Sequence, residues 1–271
     1  ERVLGQVRER RERERLEREM QLAREIQRTF LPQKTPDFPG WDLKVRWRTA
    51  REVGGDFYDF FELPGKRLGL VIADVADKGM PAALYMTLVR TLMRATVQQV
   101  DAPWEVLERV NDILVPDAPQ GMFVTLAYAV VHMDTGEMEF ANAGHNPPLW
   151  VQNKDCQMER LTRGSMALGV TEGLYVEGRK LHLGVGDYLV MYTDGVTEAF
   201  SVEDDMFGEE RLQQVIEQAT ACSVSDSAAG GYPGNGGSQA VLDAIDEAVT
   251  NFTGVTLLSD DLTLLVIRRE R

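Results

Sequence analysis

Four short acidic motifs constrain this chain more than any other feature. They are Gly54-Gly55-Asp56-Phe57-Tyr58-Asp59, Ala73-Asp74-Val75, Tyr192-Thr193-Asp194-Gly195 and Ser259-Asp260-Asp261-Leu262-Thr263. Each sits where a strand should end or turn. Carboxylates that converge repel one another, and hard divalent cations with oxygen ligands offset that repulsion. A fold that gathers these four strand ends is expected to build an all-oxygen site for Mg²⁺ or Mn²⁺ and to use it for hydrolysis.

The segments between the motifs set the fold class. Asp42 to Arg48 alternates polar and apolar residues, as a strand with one wet face does. Phe57 to Leu63 and Arg67 to Val75 read as a hairpin around Pro64-Gly65-Lys66. Leu68 to Ala73 is nearly all apolar, so that strand should be central. Two helices are predicted next, over Pro81–Val100 and Pro103–Leu114. Strands return at Phe123–Met133, Glu137–Asn142, Pro148–Val151, Tyr175–Leu183 and Asp187–Thr193, with a turn at Asp134-Thr135-Gly136. Helices over Gly208–Ala219 and Gln239–Phe252 precede a last strand, Leu262–Arg268. Strands in hairpins with helices in pairs argue for an α+β protein with antiparallel sheets covered by helices, not a doubly wound parallel sheet. The Ser-, Gly- and Ala-rich stretch Ser223–Ser238 reads as a loop.

The first segment is different. Residues 1–29 are mostly Glu and Arg, with Leu16, Met20, Ala23, Gln27 and Phe30 at the four-three spacing of a coiled-coil seam. It is expected to be a linker helix from an upstream sensor domain, dimerising this chain ahead of a catalytic domain at 30–271. Pro32 and Pro36 end it. The 271 residues carry a net charge of −14, which argues against nucleic-acid or membrane-surface partners because both need basic patches. Cys156 and Cys222 lie far apart without metal-ligand spacing and read as free thiols of a cytoplasmic protein.

Residue by residue, Asp56 follows two glycines that allow close backbone approach. Strand alternation turns Asp59 to the opposite face, so Asp56 is the candidate of that pair. Asp74 ends the most apolar strand, where a lone carboxylate is costly without a counter-charge. Asp77 is the better cap for the following helix. Asp194 ends another apolar strand, and Val196-Thr197-Glu198 does not read as a return strand. Of Asp260 and Asp261, Asp260 is preferred as a ligand and Asp261 is the second choice. His145, in a Gly-Asn-Pro turn, reads as structural.

Six ordered stretches, Glu52 to Asp59, Ala73 to Leu84, Asn142 to Leu149, Tyr192 to Glu198, Phe207 to Leu212 and Asp260 to Val266, together resemble the SpoIIE/RsbU-type branch of the metal-dependent protein phosphatases (PPM), bacterial relatives of protein phosphatase 2C. The resemblance implies a four-layer α-β-β-α sandwich. It also implies removal of phosphate from phosphoserine or phosphothreonine on a regulatory protein, usually a STAS-type anti-sigma-factor antagonist in a partner-switching pathway. Two Mn²⁺ or Mg²⁺ ions are implied, with Asp74 bridging them, the Val75 carbonyl as a backbone ligand, Asp194 and Asp260 on the first metal and Asp56 on the side of the second. Arg51 lies at about the offset of the family's phosphate-gripping arginine, or is a plain surface arginine. No histidine follows Asp74 as in eukaryotic relatives; Lys78 or a metal-bound water stands in its place, and the general acid is unassigned. Two other readings are a catalytically inactive phosphoprotein sensor and, from Gly-Gly-Asp-Phe, a GGDEF-like nucleotide cyclase.

Overall fold

The computed structural model describes residues 2–119, 121–162, 164–220, 237–254 and 258–271. Cys222 and the 223–236 stretch of the expected loop lie outside them. Helix α1 (Arg2–Phe30) leads into β1 (Trp41–Arg48), β2 (Phe57–Leu63), β3 (Arg67–Val75), α2 (Met80–Thr96) and α3 (Pro103–Leu114). Then come β4 (Val124–His132), β5 (Glu137–Ala143), β6 (Leu149–Gln152), β7 (Gln157–Arg160), β8 (Gly178–His182) and β9 (Tyr188–Tyr192). The one-turn helix α4 (Asp194–Thr197), α5 (Gly208–Ala219), α6 (Ser238–Thr253) and β10 (Leu262–Arg269) complete the order.

Among the described residues the strands form two antiparallel five-stranded sheets, β1-β10-β9-β6-β7 and β2-β3-β4-β5-β8. Helices α2 and α3 cover the second sheet, and α6, with α5 beside it, covers the first. This is the expected α-β-β-α sandwich. Strand alternation builds both cores from the same residues' neighbours. Leu189, Met191, Leu265 and Ile267 point between the sheets. Tyr188, Val190, Tyr192, Leu264 and Val266 point the other way, under α5 and α6. Strands buried on both faces explain why β9 and β10 read as continuous apolar runs.

The β2–β3 hairpin falls where its pattern placed it, with Leu63 paired to Arg67. Four expectations are corrected. Helix α2 ends at Thr96, where Gln99 and Val100 donate back to the Thr96 carbonyl and close the turn. The strand foreseen at Tyr175–Leu183 is only Gly178–His182. β7 was not foreseen, because Gln-Met-Glu-Arg is a short wet edge strand with no apolar alternation. Asp77 does not cap α2: it has φ 85°, its carboxylate accepts from the Lys78 amide, and Gly79 is the N-cap residue. No helix among the described residues is long and apolar enough to cross a membrane.

Candidate active site

The carboxylates are assembled by register. Phe57 pairs with Ala73, so the preceding residue, Asp56, comes level with Asp74 at the end of β3. On the other sheet Leu264 pairs with Tyr192, which brings Thr263 beside Thr193 and places Asp194 and Asp260-Asp261 at one end. The two sheet ends then join through Asp56. Its Oδ2 accepts from the Thr193 hydroxyl at 2.6 Å and from the Thr263 hydroxyl at 2.7 Å. Asp59 takes the opposite direction, as alternation requires, and meets Arg90 and Arg94 of α2.

Glycine is required where these segments touch. A Cβ on Gly195 would lie 1.9 Å from the Asp261 carbonyl oxygen, and one on Gly54 would lie 2.2 Å from Asp261 Oδ2. Only hydrogen side chains let the motifs close to this distance. Asp261 uses the proximity to accept from the Ala50 and Gly55 amides, both at 2.8 Å. Asp260 Oδ2 pairs with Lys78 Nζ at 2.6 Å, and its Oδ1 accepts from the Asp261 amide at 2.9 Å.

Burial and mutual repulsion raise the carboxylates here. Burial, followed by repulsion from Asp194, pushes Asp74 up to about 8, although a hydrogen bond with Asp56 works against the rise. Burial and then Asp260 and Glu198 push Asp194 up to about 6. Burial, Asp74 and Asp261 hold Asp56 well above the ordinary carboxylate range despite its two threonine donors. Asp261 is raised by burial, against its backbone donors. Lys78 feels burial pulling it down, but Asp260, Asp194 and Asp261 together leave it raised.

This donor set fits a hard cation. Every group is a carboxylate or carbonyl oxygen, and Lys78 is the cation that acts on Asp194 and Asp260. As they stand, the carboxylates are turned to protein donors: threonines for Asp56, amides for Asp261 and Lys78 for Asp260. As placed, no three acid, cysteine or histidine side chains among the described residues are grouped closely enough to hold an ion. Asp56, Asp74, Val75, Asp194, Asp260 and Asp261 are the residues that could hold one. Arg51 is exposed, and a Cβ on Gly79 would lie 3.8 Å from its guanidinium. Arg51 and Lys78 thus flank the same loop.

His145 is buried in its turn, with Nδ1 2.8 Å from the Thr125 hydroxyl, and Thr125 lies opposite Asp74 in the register. Sequence reasoning missed Thr193, Thr263 and Thr125. For Thr193 and Thr263 a signal was available, since a hydroxyl at an apolar strand end, one or two residues from an acidic motif, needs a buried partner; Thr125 has no acidic residue near it in sequence. Gly54-Gly55 is not a hairpin turn as the cyclase reading needed; the turn of that hairpin is at Pro64 to Lys66.

Comparison with known proteins agrees with the two-sheet fold. The profile described as Stage II sporulation protein E (SpoIIE) matches residues 64–270. The chain is 29% identical over 252 residues to the phosphoserine phosphatase RsbU of Bacillus subtilis, covering 93% of this chain and 70% of RsbU. It is 28% identical over 282 residues to protein IcfG of Synechocystis, covering 93% of this chain but only 41% of IcfG. The SiaA-PP2C domain of Pseudomonas aeruginosa has the same fold, with TM-score 0.79 and 19% identity over 94% of this chain and 98% of that domain. On the extent of that profile match, with the two-sheet architecture it accompanies, the chain belongs to the Stage II sporulation protein E (SpoIIE) family.

Proposed function

We propose that this chain is a metal-dependent protein serine/threonine phosphatase that hydrolyses phosphoserine or phosphothreonine on a regulatory protein. One observation carries the reading: register brings Asp56 and Asp74 of one sheet and Asp194, Asp260 and Asp261 of the other to the same end of the sandwich, joined where Asp56 accepts from the Thr193 and Thr263 hydroxyls. RsbU is named a phosphoserine phosphatase, which supports the substrate class.

In this reading Asp56, Asp74, the Val75 carbonyl, Asp194 and Asp260 would hold Mn²⁺ or Mg²⁺, with Asp261, which accepts from the Ala50 and Gly55 amides, as the second choice beside Asp260. The bound ions would supply Lewis-acid polarisation of the phosphoryl group and a water of lowered pKa. Thr193 and Thr263 fix the Asp56 carboxylate so that it does not swing from the site. Lys78, tethered to Asp260, and Arg51 beside Gly79 place positive charge where a phosphate would approach. Lys78 is a point charge with a mobile stem, whereas Arg51 offers a planar fork to two phosphate oxygens. Residues 1–29 act as the linker and dimerising helix of a cytoplasmic signalling protein, residues 30–271 form the catalytic domain, and the partner is a phosphorylated STAS-type anti-sigma-factor antagonist.

The test is release of phosphate from a serine-phosphorylated STAS protein with and without Mn²⁺. The native chain should release it only with the ion, and Asp74→Asn should lower the rate at least about a hundredfold, the scale of losing groups that act in the transition state. Equal rates for the two chains would refute the reading.

A further inference from the structure

Gln27 is the most deeply placed polar side chain of α1. It is only 4% exposed, whereas the helix residues before it whose burial is described are exposed or half-buried. Its amide engages both backbone groups of one residue in the catalytic loop. Nε2 donates to the Gly54 carbonyl at 2.6 Å, and Oε1 accepts from the Gly54 amide at 3.1 Å. Gly54 is buried and lies two residues before Asp56. The segment's remaining handles come from elsewhere: Asp261 holds the Gly55 amide, and the Trp47 indole donates to the Asp56 carbonyl at 3.1 Å.

The end of α1 is itself anchored. Leu31 is in the core, the Tyr58 hydroxyl donates to the Pro32 carbonyl at 3.0 Å, and Gln33 donates to the Arg28 carbonyl at 2.6 Å. A seam residue of a coiled coil need only be apolar. A glutamine that pairs with a buried glycine like a neighbouring strand does something more specific. Its loss leaves an N–H and a C=O of Gly54 buried without partners, and Gly54 has no side chain of its own to anchor it.

We propose that Gln27 is a positioning residue for the candidate catalytic loop: through its side-chain amide, helix α1 fixes the backbone that presents Asp56. The proposal deepens the phosphatase reading and rests on it only for the catalytic consequence; the positioning itself is measurable without turnover.

Gln27→Leu keeps the volume and removes both hydrogen bonds. Gln27→Glu keeps the acceptor for the Gly54 amide and serves if the leucine variant does not fold. Glu25→Gln, exposed on α1 and away from its apolar positions, is the control. Amide hydrogen exchange is followed in EDTA on the peptide covering residues 48–58, and Mn²⁺ affinity is measured on the same samples.

Gln27→Leu should speed exchange over residues 54–57 on the order of tenfold relative to the rest of the domain. It should weaken Mn²⁺ binding with little change in melting temperature. Gln27→Glu, whose second carboxylate oxygen would face the Gly54 carbonyl, should speed exchange there as well, and Glu25→Gln should match the native chain. Unchanged exchange at 54–57 in both Gln27 variants, or an even rise over the whole domain, would overturn the proposal. If the native chain neither binds Mn²⁺ nor releases phosphate, the phosphatase reading falls while the exchange result still decides the role of Gln27.

Discussion

At the scale of single residues, the site is a concentration of charge that the fold holds at a cost. Asp194 is pushed up to about 6 and Asp74 to about 8, from 3.8. In the unfolded chain both ionise near the ordinary value of about 3.9. The folded form therefore holds protons that the unfolded form has released. That contribution to stability is complete below about pH 4 and is lost as pH rises through about 6 and then about 8. In EDTA the melting temperature should fall across this window. Asp194→Asn, which cannot ionise, should fall less between about pH 4 and 6. Mn²⁺ should restore more stability at pH 8 than at pH 5, because its ligands must be deprotonated. Thermal unfolding at a series of pH values checks this; parallel curves for the native chain and Asp194→Asn would show that the Asp194 carboxyl is not under the strain described.

At the scale of elements, buried carboxylates of opposite direction divide the labour on β2. Asp56 belongs to the site, while Asp59, fully buried, locks α2 onto the sheet through Arg94 at 2.6 Å and Arg90 at 3.0 Å. Asp59→Ala leaves Arg90 largely buried without its anion. A loss of about 3 kcal/mol is expected, at the low end of the range for breaking a buried pair because Arg94 is 47% exposed. Denaturant unfolding measures it; a loss below about 1 kcal/mol, the scale of a surface pair, would mean the clamp is not holding α2.

Period two made the β2–β3 hairpin and the direction of Asp56 against Asp59 legible before any coordinates. Apolar runs ending in Asp located Asp74 and Asp194. What stayed hidden was set by partners distant in sequence. Thr193 and Thr263 matter because two strands pair, and Gln27 matters because a helix docks on a loop 27 residues away. Helical spacing grouped Gln27 with Leu16 and Phe30, but only tertiary contact separates the buried amide from the exposed apolar side chains. Asp77 failed as a cap because the chain enters α2 through Gly79 with φ 80°, a turn that propensity does not foretell.

At the scale of the molecule, α1 has two characters. Its last turns belong to the catalytic unit through Gln27 and Leu31. Leu16 and Leu22 are each 57% exposed, and Ile26 is 49% exposed, which suits a helix that pairs with a second copy. Arg10–Glu14, Arg13–Glu17 and Arg15–Glu19 pairs stabilise its solvent face. Deleting residues 1–24 keeps Gln27 and should convert a dimer to a monomer in sedimentation. An unchanged number of chains per particle would end the dimerising role of this helix.

The sandwich itself explains why acidic groups so far apart in sequence form one site: strands from both sheets end at the same edge, and Asp56 spans the gap to Thr193 and Thr263. The most direct measurement is a calorimetric Mn²⁺ titration of the native chain, Asp74→Asn from one sheet and Asp194→Asn from the other. Native protein should bind the ion, and each substitution alone should weaken it at least about tenfold, as the proposed joint site requires. Native-like binding by either variant would contradict a site built jointly by the two sheets.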